Sequence, residues 1–242
     1  MKTIPAATRT PFATVALILS AALSACGGGG SSDSASADVA ISDANVIANV
    51  KSTNIDFVPT NRPAGTWRWL GTPAQHITVY VTPAASGNAT EQDYATKART
   101  AVTQINTRLS GLLVLDVVAT VPASGNYIHV NYGTSYVPPG STDYQSYCAN
   151  VATGPSLGNP IQPSSQNGIG SSPVYVNLGN GRCDVTQGIV THEFGHALGL
   201  ARHFSGFGDD GPESAFWDVL ATLYANPVST VSTSLAVKRA GK

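Results

Sequence analysis

Two histidines one helical turn apart constrain this chain more than any other feature. The run Thr191-His192-Glu193-Phe194-Gly195-His196-Ala197-Leu198-Gly199-Leu200 is apolar apart from two imidazoles, one carboxylate and a threonine. Residues four apart share a helical face, so His192 and His196 can aim ring nitrogens at a single ion. Burying them with Glu193 in an apolar helix and no metal would leave polar groups to satisfy. Zn²⁺ suits the pair, because it accepts neutral imidazole and tolerates an open fourth position. Glu193 falls beside such an ion rather than on it, where it can take a proton from a bound water whose pKa the metal lowers toward about 7. The spacing therefore predicts a helix, one zinc ion and a general base.

Upstream, the hydrophobic period alternates between strand and helix. His76-Ile77-Thr78-Val79-Tyr80-Val81-Thr82 is alternating and β-branched, a strand that Pro83 ends. Thr90 is placed to cap a helix running to about Ser110, with Glu91 and Asp93 in the first turn where the dipole favours acids. Tyr94, Ala98, Ala101, Val102, Ile105 and Leu109 recur at helical spacing and would face a sheet. Gly111 stops that helix. Leu112 to Thr120 is a continuous apolar run, the pattern of a central strand, and Asn126 to Tyr132 alternates again. A long loop of Gly, Pro, Ser and Asn follows from Gly133 to Ser172. Pro173 to Leu178 makes another strand, and Gly179-Asn180-Gly181 turns the chain into the histidine helix near Asp184. This order predicts an α+β domain: one mixed, twisted sheet with two main helices, the second carrying the metal motif. His76 and His129 lie in strands and read as structural.

The longer pattern His192-Glu193-x-x-His196-x-x-Gly199, followed by His203, resembles the metzincin metalloproteases, and among them the matrixin-like ones. The likeness covers roughly residues 66–225. It implies a zincin-type fold, one catalytic zinc, and hydrolysis of a peptide or protein substrate with Glu193 as general base. In that clan the glycine breaks the helix so that the chain can turn back with a third histidine. Two departures stand out. The clan's third ligand falls three residues after the glycine, where this chain has Arg202, a very poor ligand because it stays protonated. His203, one residue later, is the first choice; Glu213 is the alternative and Asp218 a weaker one. The clan also places a methionine turn beneath the metal, and the only methionine here is Met1. The stretch from Trp217 to Tyr224 offers an apolar floor instead, with Leu220 or Leu223 in the methionine's place. Tyr224 reads as core rather than as an oxyanion stabiliser. Asp209 and Asp210 lie among glycines but lack the spacing of a calcium loop. A second reading, from another class, is a catalytically weak or inactive zinc-binding envelope lipoprotein acting as a binding module. The missing methionine turn favours it, and the intact Glu193 opposes it.

The N-terminus indicates where such a protein works. Lys2 and Arg9 precede an apolar run from Phe12 to Leu23, and small residues then lead to Cys26, which makes residues 1–25 a secretory signal. The ending Leu23-Ser24-Ala25-Cys26 resembles the lipobox of bacterial lipoproteins. It implies acylation of Cys26 and a lipid anchor in the cell envelope, with Gly27 after the cysteine implying outer-membrane sorting; plain secretion is the alternative. The following Gly27-Gly28-Gly29-Gly30-Ser31-Ser32 suits a flexible tether. Residues 26–65 thus read as lipidated cysteine, tether and lead-in, with a short helix over Asp38–Val50 that has no evident partner, and residues 66–242 as the metalloprotease domain. A propeptide role for residues 27–65 stays open. Two cysteines outside the cytoplasm pair, so Cys148 and Cys183 are expected to form a disulfide. The alternative, Cys183 as a thiolate latch on the metal, fits poorly, since such latches lie far upstream in a propeptide.

Charge narrows the partners. Only 11% of the 242 residues are charged, against about 25% in ordinary soluble domains. Loss of the signal takes Lys2 and Arg9 from the 13 basic residues and none of the 14 acidic ones, moving the net charge from -1 to -3. That leaves no basic surface for nucleic acid. No apolar run reaches the roughly 18 residues of a spanning helix, and a 42% hydrophobic content is enough for a real core; the expected state is a monomer.

Overall fold

Alternation in residues 75–81 sets the frame. In the computed structural model, which describes residues 40–57, 64–71, 74–169, 173–208 and 211–241, that segment is strand β1 (Gln75–Val81), with Ile77, Val79 and Val81 buried and His76 exposed. Helix α2 (Ala89–Arg108) follows and buries Tyr94, Ala98, Ala101, Val102 and Ile105, the residues its period selects. Its cap is Asn88 rather than Thr90. The Glu91 N–H donates to the Asn88 side chain at 3.1 Å, and the Glu91 carboxylate accepts from the Ala85 N–H at 2.7 Å.

Strands β2 (Leu113–Val118), β3 (Tyr127–Tyr132), β4 (Ala149–Ala152) and β5 (Val174–Leu178) complete a five-stranded sheet in the order β2-β1-β3-β5-β4. All neighbours are parallel except β4, which runs antiparallel to β5 at the edge. β2 occupies the other edge, not the centre expected from its apolar run. Leu113 and Leu115 are buried, but Val117 is exposed, and Asp116 pairs at 2.6 Å with the exposed His76. A strand buried on both faces has no place for that carboxylate. β4 lies within the stretch read as loop. Four residues are too few to display a period, and its pairing from Ala149↔Leu178 to Ala152↔Tyr175 is what makes it a strand.

Helix α3 (Gln187–Ala197) carries the histidine pair. Two further helices were not among the two main ones expected. Helix α4 (Ser214–Ala225) buries every residue from Ala215 to Tyr224, and a helix apolar all round shows no 3.6-residue alternation. Helix α1 (Asp43–Val50) continues into a π-helical turn (Lys51–Ile55) and packs against α4. Val46, Val50, Thr53 and Asn54 are fully buried. The packed domain therefore begins upstream of residue 66, and α1 finds its partner in α4. Arg239 binds the segments together, pairing with Asp218 of α4 at 2.6 Å and with Asp43 of α1.

The described residues form a mixed α+β domain of five strands and four helices around one core. Cys148, just before β4, is disulfide-bonded to Cys183, just before α3, across a separation of 35 residues. With Cys183 so bonded, the thiolate latch is ruled out. The signal segment 1–25, Cys26, Asp209 and Asp210 lie outside the described residues. No helix among those described is long and apolar enough to cross a membrane.

Candidate metal centre

Helix α3 starts on a Thr186 cap, which accepts from the Ile189 N–H at 3.1 Å, and it is buried from Ile189 to Ala197. Burial on every side delivers its imidazoles into the core. Where the helix stops, carbonyls lose their intrahelical partners, and two aromatic donors replace them. Trp69 Nε1 donates to the Ala197 carbonyl at 2.9 Å, and the Tyr224 hydroxyl to the Leu198 carbonyl at 3.1 Å. That hydroxyl is thus committed inside the core, where burial pushes its pKa up. Tyr224 is a core residue, as expected. Gly195 admits α4 closely, since a Cβ there would meet the Phe216 ring at 2.3 Å.

Gly199 then reverses the chain at φ +107°, a conformation that side chains rarely adopt. The Leu200 N–H closes the turn onto the Gly195 carbonyl at 3.0 Å. This reversal brings His203 opposite the helix. The three Nε2 atoms form a nearly equilateral triangle, with His192–His203 at 3.0 Å, His196–His203 at 3.1 Å and His192–His196 at 3.2 Å.

Their other nitrogens explain the arrangement. His192 Nδ1 faces the Gly208 carbonyl at 2.8 Å, and His196 Nδ1 faces the Leu200 carbonyl at 2.5 Å. Carbonyls only accept, so Nδ1 carries the proton in both rings and each Nε2 presents a lone pair. Such carbonyl partners are how metal-binding histidines are oriented. Burial, followed by the neighbouring His192 and His203, holds the His196 pKa well below its ordinary value, which keeps the ring neutral and able to ligate. Tetrahedral zinc, with bonds of about 2.0–2.1 Å, spaces its nitrogens by roughly 3.3 Å. The triangle matches that within a few tenths of an ångström, and the donor set fits a divalent transition metal.

The ring behind the triad is Phe207. Its centroid lies 4.4 Å from that of His192, 4.9 Å from His196 and 5.0 Å from His203, and Phe216 supports it at 5.2 Å. Leu220 and Leu223, expected as the floor, are buried in α4, but the ring packed against the imidazoles, stacked on His196 and edge-on to His192, comes from the loop after His203. A phenylalanine fixed between glycines, four residues beyond the third histidine, was the available signal.

Among the described residues, the group of converging ligand atoms consists of His192, His196 and His203. Glu213 is exposed at the start of α4, and Asp218 is held by Arg239 and by the Ala240 N–H, so neither rival joins it. Glu193 is fully buried next to His192 and is not one of the converging ligands. His76 is tied to Asp116, and His129 lies between Tyr80 and Tyr175 with both ring centroids at 4.9 Å; both belong to the sheet. Comparison with known protein-family models and with curated proteins finds no match to this chain.

Proposed function

We propose that this protein is a zinc endopeptidase of metzincin type, matrixin-like, anchored in the bacterial envelope through an acylated Cys26. The observation that carries the proposal is the convergence of three Nε2 atoms within 3.0–3.2 Å of one another, two of them on a helix that also bears a buried Glu193. His192, His196 and His203 would hold one zinc ion. Bound there, zinc supplies a Lewis acid for the scissile carbonyl and lowers the pKa of the attacking water.

The chain's own groups do the remaining work. Glu193, one residue beyond His192 on α3, takes the proton of the attacking water and passes it to the leaving amine. Phe207 and the two carbonyl acceptors keep the imidazoles from rotating. β4 ends the sheet and touches α3, which gives an extended peptide an edge to pair with beside the centre. A chain held along that edge presents its backbone to Glu193 whatever its side chains, which suits an endopeptidase.

General acid–base help is typically worth about 10²–10⁴-fold. Glu193→Gln should therefore lower kcat on a peptide library at least about 10²-fold while zinc stays bound, because Glu193 is not a ligand. Equal cleavage by both proteins would remove Glu193 from the mechanism. Zinc-loaded wild type that cleaves nothing would put the binding-module reading in its place.

A further inference from the structure

The segment that leads into the domain does more than pack against α4. Thr53 and Asn54, both fully buried in the turn after α1, reach across about 150 positions of sequence to the chain between the second and third histidines. The Thr53 hydroxyl donates to the Arg202 carbonyl at 2.5 Å and accepts from the Arg202 N–H at 3.1 Å. The Thr53 carbonyl accepts from the Ala201 N–H at 2.9 Å. Asn54 Nδ2 donates to the carbonyls of Gly199 and Trp67, each at 2.8 Å, and Asn54 Oδ1 accepts from the Trp67 N–H at 3.0 Å.

These bonds complete a nearly closed account of the turn. The Gly199 N–H and the Leu200 N–H bond back to α3, and the Leu200 carbonyl accepts from His196 Nδ1. The Gly199 carbonyl, the Ala201 N–H and both groups of Arg202 bond to Thr53 and Asn54. Gripping Arg202 by its N–H and its C=O with one hydroxyl restrains the two peptide planes that flank it, the second of which leads directly into His203. The Arg202 side chain is meanwhile drawn over the Phe57 ring at 5.1 Å, on the same N-terminal segment. With Arg202 held there, the next residue turns to the triad. This explains physically why the third imidazole comes from position 203.

We infer that Thr53 and Asn54 are positioning residues for the third ligand, so that residues 43–57 are a permanent strut of the metal centre and not a removable propeptide. The inference rests on the reading of the histidine triad as a metal site. Its anchorage is independent of the triad, through Val46 and Val50 in the core and the Asp43–Arg239 ion pair.

The test uses Co²⁺ with the full chain, following affinity and the visible ligand-field spectrum. Partners one step removed from a metal ligand typically affect affinity by about 10–100-fold. Thr53→Val, nearly isosteric, should raise the cobalt dissociation constant by that factor and change the spectrum, and Thr53→Ser should restore both. His203→Ala serves as the reference for a lost ligand. A folded Thr53→Val protein that matches wild type in affinity and spectrum overturns the inference alone. Wild type that takes up no cobalt overturns the metal-centre reading and the inference with it. Mass spectrometry of the metal-loaded protein from its native envelope provides a check that needs no variant. Residues 43–57 should be retained, and a metal-loaded form beginning after residue 57 would overturn the strut.

Discussion

Phe207 is 1% exposed and lies against all three imidazoles, so its ring both fills the core and limits how the ligands can turn. A site of this kind works only if its side chains are held within about 0.5 Å of the productive geometry. Truncating a buried phenylalanine typically costs about 3–5 kcal/mol. Phe207→Ala should lose that much stability in urea denaturation and should also bind zinc more weakly, whereas Phe207→Leu should recover most of the stability. Loss of stability with unchanged zinc affinity would make Phe207 packing only. Within the triad, the closeness of His192 and His196 was legible in the sequence because one helix fixes both. His203 was harder to assign against Glu213, because its position depends on Thr53, Asn54 and the reversal at Gly199 rather than on any local period. Phe207 was marked only by its place between Gly206 and Gly208, which does not indicate which way its ring will face.

At the level of elements, the disulfide joins the approach to β4 to the approach to α3, the two elements that flank the centre. In the chain-entropy model, a crosslink of this loop length contributes roughly 3–4 kcal/mol. The double variant Cys148→Ser/Cys183→Ser should unfold at lower denaturant by that amount, as should wild type under a strong reductant. An unchanged midpoint would mean that the bond adds nothing to the fold. β1, α2 and β3 could be read from periodicity, because each buries one face and exposes or half-exposes the other; α3, buried on every side, was read from its histidine spacing instead, and β5 from a short apolar run before a glycine turn. β4 and α4 could not be read in any of these ways. The first is too short to repeat, and the second is buried all round. The continuous run in β2 misled for a related reason: apolar content suggested a centre, while Asp116 in its midst already marked an edge.

Across the whole molecule, a single core joins the sheet, α1, α4 and the C-terminal tail, and the triad sits where the ends of α3 and its return loop close on that core. A metal bound by the triad would therefore be linked to folding. Free zinc at about 100 times its dissociation constant should stabilise the native state by about 2.7 kcal/mol, so a chelator should lower Tm in a zinc-dependent, reversible way. The N-terminal helix belongs to this same body, which the sequence did not suggest because its partner α4 lies far along the chain. The most direct test of the account is the zinc content of the purified full chain, by elemental analysis, beside that of His203→Ala. The wild-type chain should hold about one zinc, and the variant should show a clear loss of affinity. A wild-type chain without stoichiometric transition metal, or a His203→Ala chain that binds zinc as tightly as wild type, would contradict it.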